Sequence, residues 1–143
     1  MLASRAESFL LASTINALVG QRIVRKICET CTESYVPPPA IVAEIKKELG
    51  SLFSPDLEKQ GVKIHKGKGC TACGGSGYLG RVGIYEVMPV TDKIAQLVLQ
   101  HSDVNALEKQ AVAEGMITMK QDGYLKVLSG LSTVEEVIRV AQE

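Results

Sequence analysis

The chain of 143 residues lacks tryptophan, and with two phenylalanines and four tyrosines its aromatic content is only 4%. It also lacks a charge excess, because sixteen Lys and Arg residues balance sixteen Asp and Glu residues. Both shortages argue against a nucleic-acid surface, which usually combines a strong basic excess with stacking aromatics. The hydrophobic content of 45% argues against disorder, which needs low hydrophobicity and high net charge.

Long apolar runs are also missing. No stretch of about eighteen consecutive apolar residues occurs, so we expect no membrane span and no direct insertion into a membrane. The first residues, Met1 to Glu7, lack the charged, apolar and small-residue regions of a secretory signal peptide. We therefore expect a cytoplasmic protein.

Cysteine is scarce, but all four cysteines fall in two C-x-x-C pairs, Cys28 with Cys31 and Cys70 with Cys73. Two such turns supply the four tetrahedral thiolate ligands that a structural zinc ion prefers. Glycines directly after the second pair let backbone amides approach the sulfurs. The spacing therefore predicts a Zn²⁺ site, and a closed four-cysteine site has no open position for catalysis.

Three other interpretations of the cysteines stay open. Two disulfides are disfavoured in a cytoplasmic protein and are strained within a C-x-x-C turn. A thioredoxin-type redox site needs one C-x-x-C at the start of a helix in a βαβ unit. The third alternative is four free buried thiols.

Other candidate sites are weak. The segment from Gly61 to Lys68 looks like a phosphate loop, but it has one residue too many between its glycines, and Gly69 replaces the Ser or Thr that binds magnesium. Without a Walker A motif, the chain is not expected to hydrolyse a nucleotide alone. His65 and His101 stand alone in the sequence and are not expected to be ligands, and we predict no catalytic residue.

The expected fold class is α+β and mostly helical, with a small tetracysteine zinc module that contains a short hairpin, followed by a C-terminal helical bundle. Leu11, Ile15, Leu18 and Val19 form a stripe that predicts a helix in the first segment. Arg22 falls near the centre of that stripe and Arg25 at its edge. Each arginine there must extend to solvent or meet a carboxylate or phosphate.

The middle of the chain is predicted to combine an extended spacer, a short helix, a loop and a strand or hairpin. The prolines at 37–39 form an extended spacer, and a helix is expected from Ile41 to Leu49 with Gly50 as its C-cap. Residues 51–69 are predicted to be loop, because they contain Pro55, Gly61, Gly67 and Gly69. The stretch from Tyr78 to Val90 indicates a buried strand or hairpin.

Four short helices are predicted to end the chain and to pack together. The first begins at Thr91 or Asp92, and the second runs from Ser102 or Asp103 to Gly115. The third covers Met119 to Leu128, with Gly130 as its C-cap. The fourth starts with a capping box of Ser132 and Glu135, and its apolar stripe consists of Val134, Val137, Ile138 and Ala141.

Several sequence blocks resemble one family, the secretion ATPases of the GspE and PilB type, which power type II secretion and type IV pilus assembly. The blocks occur in one order along nearly the whole chain: Ala12 to Asn16, Gln21 to Cys28 with Cys31, Gly69 to Cys73, Gly77 to Glu86, Gly115-Met116, Gln121 to Gly123, and Thr133 to Val140.

This resemblance implies that the chain is the C-terminal piece of a larger hexameric ATPase that needs ATP and Mg²⁺. Residues 1–27 would be the C-terminal helix of its truncated ATPase domain, 28–90 the tetracysteine module and 91–143 a C-terminal helical module. The implied partners are the rest of the ATPase, neighbouring subunits and an inner-membrane platform protein, so the location would be cytoplasmic and peripheral to the inner membrane. The truncation would leave residues 1–10 partly frayed and Arg22 and Arg25 without a neighbour.

An alternative function is a zinc-dependent, chaperone-like protein-binding module. The residues from Cys70 to Gly77 fit C-x-x-C-x-G-x-G, the zinc repeat of DnaJ-type chaperones. Those chaperones carry four such repeats, whereas the residues after Cys31 contain no such glycines. Because this chain contains only one of the four repeats, the secretion ATPase interpretation is favoured over the chaperone interpretation.

Overall fold

A computed structural model describes residues 13–141, and about half of these residues are helical, which confirms an α+β fold with small sheets. Strand β1 pairs with β4, and β2 lies antiparallel to β3 with Thr32 opposite Gly67 and Tyr35 opposite Ile64. The elements in chain order are β1 (Ala17–Ile27), β2 (Thr32–Tyr35), α1 (Pro39–Leu49), α2 (Pro55–Gln60), β3 (Ile64–Gly67), β4 (Tyr78–Pro89), α3 (Asp92–Leu99), α4 (Val104–Ala113), α5 (Met119–Leu128) and α6 (Val134–Ala141).

The prediction of a helix in the first segment is wrong for residues 17–27, which form strand β1. A spacing of four residues places side chains on one face of a helix, but it also places them on one face of a strand. The β-branched residues of this segment favour the strand. Val24 and Ile27 are its buried side chains, whereas Leu18 and Val19 of the predicted stripe are exposed.

Two further predictions concern the middle of the chain. Of the two alternatives for the stretch from Tyr78 to Val90, the strand is confirmed, because β4 is one continuous strand, and the hairpin is wrong. Residues 51–69, predicted as loop, contain helix α2 and strand β3. Helix α2 follows the N-cap hydroxyl of Ser54, which accepts the N–H of Asp56, and starts with Pro55 at its first position, where a missing N–H costs nothing.

The predicted helix boundaries are otherwise confirmed within two residues. The helix predicted from Ile41 is α1, which begins at Pro39 and ends before Gly50, whose φ of 51° suits glycine. Thr91 and Asp103 cap α3 and α4 through side-chain oxygens that accept the N–H groups of Ile94 and Ala106. Helix α5 spans the predicted residues.

The capping box predicted at the start of α6 is wrong by one residue. Thr133 Oγ1 accepts the N–H of Glu136 at 3.4 Å, so Thr133 occupies the capping position in place of Ser132. The Ser132 hydroxyl instead donates to the carbonyl of Arg25 at 2.9 Å. The start of α6 is therefore tied to β1, a contact that local sequence does not encode.

The chain divides into two compact units. One unit takes the residues up to Gly20 together with Glu86–Thr118, and the other takes Gln21–Tyr85 together with the residues from Met119 onward. Helices α3 and α4 thus belong to the first unit and α5 and α6 to the second, so a single C-terminal helical bundle is not confirmed. The three-part division at residues 27 and 90 stays a prediction.

Each unit has its own buried core. The first is small and consists of Ile94, Ala111 and Met116. The second unit has a minor cluster of Val24, Ile84 and Val140, and a main cluster that joins α1, β3, α5 and α6. The main cluster consists of Ile45, Leu49, Phe53, Val62, Ile64, Tyr124, Val127, Val134 and Val137.

Within residues 13–141, no helix has the length and apolarity needed to cross a membrane. The predicted stripe residue Leu11 and the predicted fraying of residues 1–10 lie outside the described residues.

Candidate metal centre

The two cysteine pairs sit at equivalent places in two loops, and each loop is anchored by strands. Cys28 directly follows β1, and a 3-10 turn over Glu29–Cys31 carries the chain into β2. Cys70 follows β3, and a second 3-10 turn over Thr71–Cys73 precedes β4. Because β2 and β3 pair with each other, their ends hold the two loops side by side.

This arrangement brings all four predicted ligand atoms together. The Sγ atoms of Cys28, Cys31, Cys70 and Cys73 lie within 4.8 Å of one another, and Cys28 is fully buried. The separations are 3.8 Å between Cys28 and Cys70, 3.9 Å between Cys31 and Cys73, and 3.7 Å between Cys70 and Cys73. Four sulfurs at about 2.3 Å from a tetrahedral Zn²⁺ lie about 3.8 Å apart, so the cage fits zinc.

Backbone amides stabilise negative charge on one of these sulfurs. The N–H groups of Cys70 and Gly77 donate to Cys73 Sγ at 3.2 and 3.3 Å. The Cys70 N–H lowers the pKa of the Cys73 thiol to about 6, whereas burial raises the pKa of the Cys31 thiol to about 12. These backbone donors favour the thiolate form of Cys73, which is the form that ligates a cation.

Glycines let the backbone around the second cysteine pair pack closely against itself. A Cβ on Gly67 would lie 2.0 Å from the carbonyl oxygen of Gly77, and a Cβ on Gly69 would lie 2.5 Å from that of Gly75. The Gly77 carbonyl also accepts the N–H of Cys28 at 3.0 Å, which ties the second loop to the first. Any side chain at Gly67 would displace Gly77, whose carbonyl holds the first loop.

Comparison with known proteins adds the family. Residues 1–139 match the model of the family described as "Type II/IV secretion system protein". The chain belongs to that family. The predicted resemblance to secretion ATPases is thereby confirmed.

Three characterised relatives of this secretion-family chain carry the names of pilus and secretion ATPases. The type IV pilus assembly ATPase PilB of Thermus thermophilus is 35% identical over 132 residues, 92% of this chain and 14% of that protein. PilB of Acinetobacter baylyi is 35% identical over 139 residues, 95% of this chain and 22% of the relative. The type II secretion system ATPase E of Vibrio cholerae is 34% identical over 137 residues, 96% of this chain and 25% of the relative. The chain thus spans a quarter or less of each.

The histidines stay apart from the cysteine cage. Among residues 13–141, the four cysteines are the one group of three or more potential ligands that could hold a metal ion, and neither histidine belongs to it. His65 lies on β3 with its Nδ1 atom buried and without a hydrogen-bond partner.

The two cysteine pairs could be predicted from the sequence because the C-x-x-C spacing is local and occurs twice.

Three charged side chains, those of Glu136, Arg25 and Arg139, form a cluster. The sequence indicated only that Arg25 must extend to solvent or meet a carboxylate or phosphate. The carboxylate of Glu136, whose side chain is 2% exposed, accepts the Arg25 guanidinium at 2.7 Å and the Arg25 backbone N–H at 2.9 Å. It also accepts hydrogen bonds from Nε and Nη2 of Arg139, at 3.1 and 2.9 Å. Arg25 therefore has a carboxylate partner within the chain, and it does not depend on a neighbour that a truncation removes.

This cluster fixes the strand that leads into Cys28. The Arg25 guanidinium stacks on the Tyr78 ring at 4.2 Å, and the Tyr78 hydroxyl lies 3.0 Å from Thr133 Oγ1. The N–H of Ile27 donates to the carbonyl of Leu131 at 3.0 Å. Arg25 and Glu136 are 111 residues apart in sequence, so no local pattern could have paired them.

Proposed function

We propose that this chain is the zinc-binding, non-catalytic C-terminal portion of a hexameric secretion or pilus-assembly ATPase. Its role is to couple ATP-driven motion of the parent protein to the inner-membrane platform protein. The parent needs ATP and Mg²⁺, works in the cytoplasm and is peripheral to the inner membrane through the assembled machine. The observation that carries the proposal is the four-sulfur cage within a chain of the secretion family.

The cage geometry supports a structural zinc ion. All four ligands come from the protein, so water has no coordination position and the ion is not available for catalysis. Zinc binding to such sites in peptides contributes on the order of 10 kcal/mol, which is comparable to the whole stability of a domain. The ion therefore decides whether the two loops and the β2–β3 pair form at all.

The names of the relatives support the mechanical part of the proposal. PilB and the type II secretion ATPase E are several times longer than this chain, so nucleotide hydrolysis belongs to the remainder of such a protein. The sequence from Gly61 to Lys68 lacks the Ser or Thr of a Walker A motif. We therefore assign this portion to force transmission and not to chemistry.

The proposal is tested in the full-length ATPase with the substitution Cys73→Ser. We expect the variant to hydrolyse Mg²⁺–ATP at a rate within about threefold of the parent, while secretion or pilus assembly is lost, because the docking module no longer folds. Thr71→Ser is the matched control, since Thr71 is exposed in the same turn and contributes no metal-binding side chain.

Two results would contradict the proposal. Normal transport by Cys73→Ser would show that the cage has no role in coupling. A loss of ATP hydrolysis as complete as the loss of transport would place the cysteines in the catalytic machinery.

A further inference from the structure

The second unit contains a cleft of about 500 Å³ whose walls are mainly arginine. Three separate elements supply the guanidinium groups: Arg25 lies on β1, Arg81 on β4 and Arg139 on α6. The rest of the lining comes from Ile23 and Val24. Neither the cysteine cage nor the proposed zinc ion involves this cleft.

Two of these arginines are held in place before any ligand arrives. Glu136 accepts hydrogen bonds from both Arg25 and Arg139, and its own side chain is 2% exposed. The Tyr78 ring supports Arg25 from one side at 4.2 Å. Because the guanidinium groups are already ordered, a ligand that binds them loses less conformational entropy than it would with flexible lysines.

Arg25 keeps donor capacity for a ligand. Its side chain is 53% exposed although it contacts the buried carboxylate. A guanidinium has five N–H donors, and one side-chain donor of Arg25 binds Glu136. Arg81 is exposed on β4 and supplies a second guanidinium group to the same cleft.

The cleft also has an apolar wall. Ile23 is 52% exposed on β1, next to the arginines. A free phosphate ion would use the guanidinium groups but not this wall, whereas a peptide with acidic and aliphatic side chains would use both. Charge and apolar surface together therefore favour a protein ligand.

We propose that this cleft docks an acidic, partly apolar segment of a protein partner. Carboxylates of that segment bind Arg25 and Arg81, and an aliphatic side chain packs on Ile23. This inference rests on the proposed docking function and names the surface that performs it. No cysteine of the metal cage lines the cleft.

The test measures binding of a fluorescein-labelled six-residue peptide of alternating glutamate and leucine to the zinc-loaded protein by fluorescence anisotropy. We expect saturable binding that weakens with added salt, because the contacts are charged and partly exposed. Arg81→Gln should raise the dissociation constant about tenfold, since it removes a charge-assisted contact. Ile23→Ser should weaken binding a few-fold by removing the apolar contact.

Arg22→Gln is the matched control, because it removes the same charge from β1 at a residue outside the cleft lining. It should change the dissociation constant less than twofold. An equal effect of Arg22→Gln and Arg81→Gln would overturn the proposal and leave only a general charge effect. Equal binding of a glutamine and leucine peptide would also overturn it.

Two further titrations distinguish an acidic protein segment from other negatively charged ligands. Inorganic phosphate and phosphatidylglycerol vesicles are titrated against the same proteins, and a response to either that exceeds the response to the acidic peptide would overturn the protein-partner proposal. Zinc content is measured on every sample. Arg81→Gln should keep its zinc, so a failure to bind peptide would refute the docking surface without touching the metal-site proposal.

Discussion

Glu136 connects two segments of the second unit that are far apart in sequence, β1 and α6. Its buried carboxylate joins Arg25 on β1 to Arg139 on α6. The Arg139 guanidinium lowers the pKa of Glu136 from its ordinary value of 4.5 to about 2, and Arg25 adds to the effect. A depressed carboxylate pKa contributes stability above the unfolded-state pKa, and that stability is lost as the pH falls through the folded-state pKa.

The pH dependence of this contribution can be measured with the substitution Glu136→Gln. We expect the variant to be about 3 kcal/mol less stable than the parent at pH 7, and we expect this difference to shrink between about pH 4.5 and pH 2 as the parent carboxylate is protonated. The measurement is urea denaturation from pH 7 to pH 2.5. Zinc leaves the thiolates in acid, so both proteins are compared in metal-free form at every pH.

Glu135→Gln is the control for this experiment, because Glu135 is exposed on the same turn of α6. It should change the free energy of unfolding by less than about 0.5 kcal/mol. A difference between parent and Glu136→Gln that stays constant down to pH 2.5 would contradict the low pKa.

At the scale of elements, the contact between α5 and α6 depends on one glycine. Gly123 lies inside α5, where glycine normally destabilises a helix by about 1 kcal/mol relative to alanine. A Cβ at this position would lie 2.6 Å from Cγ1 of Val137 on α6, and Val137 is fully buried. The close approach of the helices therefore outweighs helix propensity.

The substitution Gly123→Ala should lower stability by about 1–3 kcal/mol, because the added methyl overpacks a buried contact. Thermal unfolding followed by circular dichroism measures the change. The double variant Gly123→Ala with Val137→Ala should be more stable than the sum of the two single effects predicts, since the shortened side chain accepts the methyl. Strictly additive effects, or a stabilised single variant, would contradict the steric explanation.

Elements with local sequence signals could be predicted from the sequence. Thr91 and Asp103 cap the helices that were predicted to begin there, and the two C-x-x-C turns met at one place. The prediction failed for β1, because the four-residue spacing of its apolar side chains suits a helix as well as a strand. The pairing of Arg25 with Glu136 was not predictable, since a contact over 111 residues has no local signature.

For the whole molecule, we expect the two units to respond differently to metal removal. The cysteine cage lies in the unit that contains Gln21–Tyr85, whereas the core of Ile94, Ala111 and Met116 lies in the other unit. Each unit has its own buried side chains. Loss of metal from the cysteine cage should therefore leave the core of Ile94, Ala111 and Met116 buried.

Hydrogen exchange measured by mass spectrometry, before and after chelation, tests this prediction. Amides of residues 28–35 and 64–77 should lose most of their protection when the metal is removed, while α3 and α4 keep theirs. Uniform loss of protection along residues 13–141 would show that the metal stabilises both units together. Unchanged protection around the cysteines would show that the cage holds without an ion.

The central claim is that Cys28, Cys31, Cys70 and Cys73 bind one zinc ion, and elemental analysis with thiol titration tests it most directly. The measurement uses protein purified without added zinc. We expect one zinc per chain and four thiols that react only after denaturation or chelation. A folded protein with no bound metal and four thiols that react at once would contradict it.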